Sequence, residues 1–249
     1  MSGHSKWAQI KRQKGANDAK KGQTFTKFGR EIAVTARAGG PDPESNYRLR
    51  LVIQNAREAN MPMENIDRAI KRAIGGGEGS ALEEINYQGY GPGGSALIVE
   101  VMTDNRNRAA AEVRNAFTRG GGNLGEAGCV SWMFKSRGIV NAEIGKIDPD
   151  EATLIAIDAG AEDVTVNDGE IEVVTEPAAL DDVRKQLESS HLKVTSAEHS
   201  MIADTILEVK ESDALQLLKL IDRLDDLDDV QKVWTNVDFS EDVLEKFAG

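Results

Sequence analysis

Hydrophobic residues recur at helical spacing through the first third of the chain and at strand spacing in much of the remainder. Phe25, Phe28 and Ile32 form one stripe, stopped by Gly39, Gly40 and Pro41. Leu49, Val52, Ile53 and Ala56 stand at i, i+3, i+4 and i+7 and form a second, which ends near Asn60 with Pro62 beyond. Ile66, Ala69, Ile70, Ala73 and Ile74 form a third; Pro62 pre-organises its first turn, and Gly75, Gly76 and Gly77 end it. The spacing predicts a three-helix domain over 23–79, closed by a glycine-rich linker. Residues 1–22 show no such period around Trp7 and Ile10, so they are expected to form an arm with little core of its own.

Past the linker the period becomes two and β-branched residues dominate. Segments 84–90 and 95–103 predict a hairpin around 91–94, 106–119 a helix burying Ala110, Val113 and Phe117, and 129–134 a third strand. A strand at 138–144, a helix at 150–159, strands at 162–167 and 170–175, a helix at 177–189 and a strand at 192–200 come next. That order, βαββαβ, is the ferredoxin-like plan. The chain then offers a strand at 204–210, a helix at 213–224 and a strand at 230–237. These last elements hold too few strands to be stable alone, and the unit before the ferredoxin-like plan is also incomplete. Pairing the two fragments repairs both. The fold class expected is α+β multidomain: an N-terminal three-helix domain, a discontinuous α+β domain made of 80–137 plus 203–249, and a ferredoxin-like α+β domain, 138–202, inserted in it.

Charge changes the functional picture. Of 249 residues, 30 are Lys or Arg and 42 are Asp or Glu, and a net charge of −12 speaks at face value against a nucleic-acid partner. Position overturns the average. Residues 1–30 hold eight basic side chains (Lys6, Lys11, Arg12, Lys14, Lys20, Lys21, Lys27, Arg30) against Asp18 alone. Segments 31–80 and 81–137 are balanced, while 138–249 carry 28 acids against nine bases. One end suits a polyanion and the other repels it. Trp7, among the arm's cations, has no evident core to enter and is suited to stack on a base or pack on a partner. Arg48, Arg50, Arg57, Arg68, Lys71 and Arg72 add possible backbone contacts from the helical domain.

Other motifs carry less. No apolar run reaches the roughly 18 residues of a membrane span, and no apolar stretch succeeds the basic N-terminus as a signal peptide requires, so a cytoplasmic chain is expected. One cysteine, Cys129, and three histidines are too few for a disulfide framework or a zinc cluster, and no cofactor is expected. Gly89, Gly91 and Gly94 match GxGxxG in form, but they lead into a strand and not a helix, which indicates a turn. The acids at 222–229 lack the glycine and glutamate of a calcium loop and are expected to form a solvated or partner-facing surface. Arg106 and Arg108 open a helix capped by Asp104 or Asn105, where they are either solvated or an anion seat.

Several of these segments together resemble a known family. The run 1–7 with Ile10 and Lys11, then Asn60-Met61-Pro62, Tyr87 to Gly94, Thr103 to Arg108 and Gly121 to Gly125 are closely similar to the YebC/PmpR family, from Met1 to the C-terminal region. The resemblance implies a helical domain and two α+β domains, one inserted in the other. It also implies a probable transcriptional regulator of the bacterial cytoplasm; a mitochondrial relative is a translational activator of a cytochrome oxidase subunit, and newer members are similar to ribosome-associated factors that relieve stalling. No catalytic residues are implied, whereas Lys6, Trp7, Lys11 and Lys14 are, as contacts, with Arg106 and Arg108 as a second surface. The function expected is a non-enzymatic DNA-binding regulator whose acidic lobe faces protein; the alternative is a translation factor on ribosomal RNA.

Overall fold

The computed structural model describes residues 18–75 and 82–248. The helical domain packs α1 (Asp18–Gly39), α2 (Tyr47–Glu58) and α3 (Met63–Ile74) around Ile32, Leu49, Val52, Ile53 and Ile66, with Phe25 and Phe28 at its edge. Asn46 starts α2 by accepting the Leu49 amide at 3.1 Å, while its amide group donates to the carbonyls of Thr35 and Gly40. One buried side chain thereby caps α2 and holds the end of α1. Helix α1 begins at Asp18 and so takes the last residues of the predicted arm. Ala19, Lys20 and Lys21 are strong helix formers, which lets the helix start ahead of the stripe that Phe25 opens.

The first sheet takes strands from both sides of the inserted domain. Strands β1 (Glu83–Tyr90) and β2 (Ala96–Thr103) form the hairpin, β3 (Asn123–Leu124) edges it, and β8 (Val230–Thr235) pairs antiparallel with β2, giving the order β3-β1-β2-β8. Helices α4 (Arg106–Arg119) and α7 (Glu211–Asp225) cover one face, burying Val99, Val113, Phe117, Leu217, Leu218 and Ile221 together. The second sheet contains β4 (Phe134–Glu143), β5 (Asp163–Asn167), β6 (Glu170–Thr175) and β7 (Lys193–Ala203) in the order β5-β6-β4-β7, every neighbouring pair antiparallel, with α5 (Pro149–Asp158) and α6 (Leu180–Ser189) packed on its core. This is the ferredoxin-like arrangement, and the chain is an α+β multidomain protein in which one α+β domain interrupts the other.

Three expectations fail locally. The strand at 129–134 is a turn and then a short 3-10 segment, Ser131–Met133, and the strand begins at Phe134 and runs unbroken to Glu143. Lys135, Ser136 and Arg137 read as a break because they are polar, yet each pairs in the ladder with β7. No strand forms at 204–210: Leu207 and Val209 give an apolar alternation because they pack on the first core, while the backbone builds no ladder, the Asp204 and Leu207 amides donating to the Met133 and Asn236 carbonyls at 2.9 and 2.7 Å. In α4 Ala109 occupies the buried position assigned to Ala110, which is half-buried. A final helix, α8 (Glu241–Ala248), lies beyond the last predicted element and places Val243 and Leu244 in the first core.

Candidate nucleic-acid interface

The basic face of α1 meets the acidic end of α7. A helix leaves its last carbonyls without partners and partly negative. Here Gln23 Nε2 donates to the Asp226 carbonyl at 2.8 Å, Lys27 Nζ to the Asp225 carbonyl at 2.7 Å, and the Arg30 guanidinium to the Asp228 carbonyl. Arg30 also pairs with the Asp229 carboxylate at 2.7 Å. The other oxygen of Asp229 accepts Thr103 Oγ1 and Arg108, each at 2.8 Å. Arg108 reaches Asp104 as well, at 2.8 Å, which holds the Asp104 carboxyl below its usual range, while the two carboxylates raise the Arg108 guanidinium. The acidic run expected to face solvent or a partner is thus in part the surface on which the helical domain docks.

The other predicted contacts fall in different places. Lys6, Trp7, Lys11, Arg12 and Lys14 lie outside the described residues. Lys20 belongs to α1, where Lys21 is exposed. Lys27 serves the junction, and Arg108 is held by two acids and not left for an anion. Arg106 stays exposed with no side-chain partner among the described residues, beside Tyr87, whose hydroxyl donates to the Arg106 carbonyl at 3.3 Å. In the helical domain Arg48 pairs with Glu84 and Arg50 with Asp181, and Arg57 Nε rests on the Met63 sulfur at 3.2 Å. Arg68, Lys71 and Arg72 are exposed with no acidic partner among the described residues.

Two of these cations, Arg68 and Arg72, line a cleft that the hydrophobic pattern did not reveal. It has a volume of about 800 Å³. Helix α1 lines it with Gly22, Phe25, Thr26, Gly29 and Arg30, and α3 with Asn65, Arg68 and Arg72; Met61, Leu82 and Asp104 complete it. Positions 65, 68, 69 and 72 stand at i, i+3, i+4 and i+7, so one face of α3 is turned to the opening. The signal was present as Gly22 and Gly29, seven residues apart and so on one helix face, but Gly22 fell in the predicted arm, and a lone glycine in a helical stripe reads only as a weak helix position.

A charged cluster lies where the three domains meet. Lys232 of β8 donates to Glu198 at 2.7 Å and to the His199 carbonyl at 3.0 Å, both in β7. Burial disfavours its charge, but Glu198, Glu31 and Glu100 outweigh burial and raise it. Burial pushes the Glu100 carboxyl up to about 7 and raises Glu31 as well. The His199 ring meets the edge of Tyr47 at 6.2 Å, and burial lowers its affinity for a proton. The cluster joins domains and pairs no nucleophile with a base.

Comparison with known proteins agrees with this architecture. The family models described as the TACO1/YebC protein N-terminal domain and the TACO1/YebC second and third domain match residues 5–76 and 82–237. A probable transcriptional regulatory protein of Roseiflexus castenholzii is 52% identical over 252 residues, covering 99% of each chain, and one of Dehalococcoides mccartyi is 49% identical over 247, covering 99% of this chain and 98% of its own. The crystal structure of a conserved hypothetical protein from Aquifex aeolicus superposes with a TM-score of 0.84 at 42% identity, covering 90% of this chain and 93% of that one. Models that together span the three domains, and relatives matched along nearly their whole length, establish that the chain belongs to the TACO1/YebC family.

Proposed function

We propose that this protein is a non-enzymatic regulator that binds nucleic acid by its phosphate backbone, using the basic N-terminal segment and the Arg68, Lys71 and Arg72 edge of the helical domain. The observation that carries this reading is the set of three exposed cations on α3 without acidic partners among the described residues, in the domain that takes in the end of the +7 segment, 1–30. Such charges release counterions when they meet phosphates, which yields affinity without sequence selectivity. The regulatory names of the relatives are consistent with it.

DNA is the first target this supports. Base reading is a poor fit for α3, because Glu64 and Asp67 stand in its first two turns, ahead of Lys71 and Arg72 in its last, and repel a groove. That mixture favours a second reading, in which the same charges hold ribosomal RNA, whose shape and backbone suffice for docking. The test is to measure duplex DNA binding and ribosome co-sedimentation for the intact chain and for a Lys6, Lys11, Arg12 and Lys14 to Gln variant, across a salt series. Charge-dependent duplex binding that survives physiological salt supports the DNA reading. Ribosome association that depends on the same charges, with duplex binding lost at that salt, supports the RNA reading. Neither activity changing in the variant overturns the role given to the N-terminal cations.

A further inference from the structure

We propose that the cleft between α1 and α3 seats one unpaired nucleotide of a single-stranded nucleic acid, its base against Phe25, Met61 and Leu82 and its phosphates at Arg68 and Arg72. The inference rests on the nucleic-acid reading above and names the form of nucleic acid that the helical domain takes.

The walls of the cleft are chemically divided. Phe25, Met61 and Leu82 contribute apolar surface, while Arg68 and Arg72, one turn apart on α3, put two like charges side by side. Like charges at i, i+4 repel unless an anion lies between them. Arg30, the third arginine of the lining, is held by Asp229, so the two on α3 are the ones left for phosphate. The volume, about 800 Å³, lies in the range of small-molecule sites, roughly 300–1,000 Å³. An inorganic phosphate uses the arginines and leaves the apolar wall wet; an apolar peptide does the reverse. A nucleotide uses both.

The glycines of α1 add an independent argument. Glycine is among the poorest residues for a helix interior, and in packed helices it commonly permits a neighbour to approach closely. Neither role explains Gly22 and Gly29: a Cβ built at either position meets nothing within 4 Å among the described residues. Both glycines line the cleft, so the room they leave opens into it. A duplex keeps its bases stacked inside and reaches only the arginines, whereas an unpaired base can enter and stack.

The test uses the full chain and three labelled oligonucleotides of one sequence: single-stranded RNA, single-stranded DNA and duplex DNA, monitored by fluorescence anisotropy at physiological salt. The wild type is expected to prefer the single strands at least about tenfold. Gly29→Leu, which fills the cleft, is expected to weaken single-strand binding at least about fivefold and duplex binding less than about twofold. The two single-stranded arms show whether the sugar contributes. If Gly29→Leu does not fold, Gly22→Leu takes its place with the same expectation. Single-strand affinity untouched by these variants, or falling in step with duplex affinity, overturns the proposal. A wild type that binds duplex and not single strands overturns it while the regulator reading stands; a wild type that binds neither overturns it together with the DNA reading, and ribosome co-sedimentation then decides the RNA reading.

Discussion

Arg30 of the helical domain closes on Asp229 of the discontinuous domain at 2.7 Å, and Asp229 is buried at 3% exposure between Arg30 and Arg108. A buried carboxylate shared by two arginines and a threonine hydroxyl is stable only while those partners remain. Asp229→Asn keeps the shape and removes the charge. Both arginines are partly solvated, so the loss is expected to be about 1–3 kcal/mol, the range for an unsatisfied buried polar group. Urea unfolding measures it, and a midpoint unchanged from wild type contradicts the role assigned to this pair.

The glycines separate into two kinds with opposite expectations. At Gly29 a methyl group has free space on a helix, so Gly29→Ala is expected to stabilise the protein by about 0.5–1 kcal/mol. At Gly89 the same methyl meets the Asn123 carbonyl oxygen at 2.5 Å and the Phe117 ring at 2.8 Å. Backbone cannot swing aside, so Gly89→Ala is expected to cost about 1–3 kcal/mol by overpacking. Thermal melts of the two variants should move in opposite directions; a shift of the same sign in both is the contrary result.

Glu100 sets a pH dependence. Its carboxyl titrates near 7 in the folded chain and near 4.5 unfolded. Between those values the unfolded chain has released the proton and the folded chain retains it, so this group lowers stability as pH rises through that window. Glu100→Gln removes the effect. The difference in melting temperature, variant minus wild type, is expected to grow more positive from pH 5 to pH 8; a difference constant with pH contradicts the burial of this carboxyl.

Gln88 organises the loop that displays Trp132. Its side-chain carbonyl accepts the amides of Gly128, Val130 and Ser131 at 3.0–3.2 Å, and the Trp132 indole donates to the Cys129 carbonyl while the residue is 71% exposed. Gln88→Ala leaves three amides without that acceptor, and their hydrogen exchange is expected to quicken by about tenfold or more, as local opening becomes easier. Unchanged exchange at these three amides is the outcome that counts against it.

Local periodicity made much of the architecture legible. The stripes at Ile32, Val52 and Ile66 mark the helical domain because a helix must bury one face, and the shortage of strands on each side of 138–202 demanded a join across it, which β2 and β8 make. What failed depends on distant partners. Lys135 and Arg137 look like a break until β7 is beside them, and Leu207 looks like a strand residue because burial alternates there without a ladder. The fate of Arg108 was decided by Asp229, 121 residues away, and no spacing rule reaches that far. The cleft was hidden for a related reason: empty space between two helices leaves no mark on either beyond the glycines.

The central claim is that the basic end of the molecule holds phosphate. Its most direct test is the salt dependence of nucleic-acid binding by the intact chain and by a variant with Arg68, Lys71 and Arg72 changed to Gln. For duplex DNA the logarithm of affinity should fall linearly with the logarithm of salt, with a slope of roughly −0.9 per phosphate contact, and the variant should lose about one to three contacts from that slope. Affinity independent of salt, or a slope identical in the variant, would contradict the account.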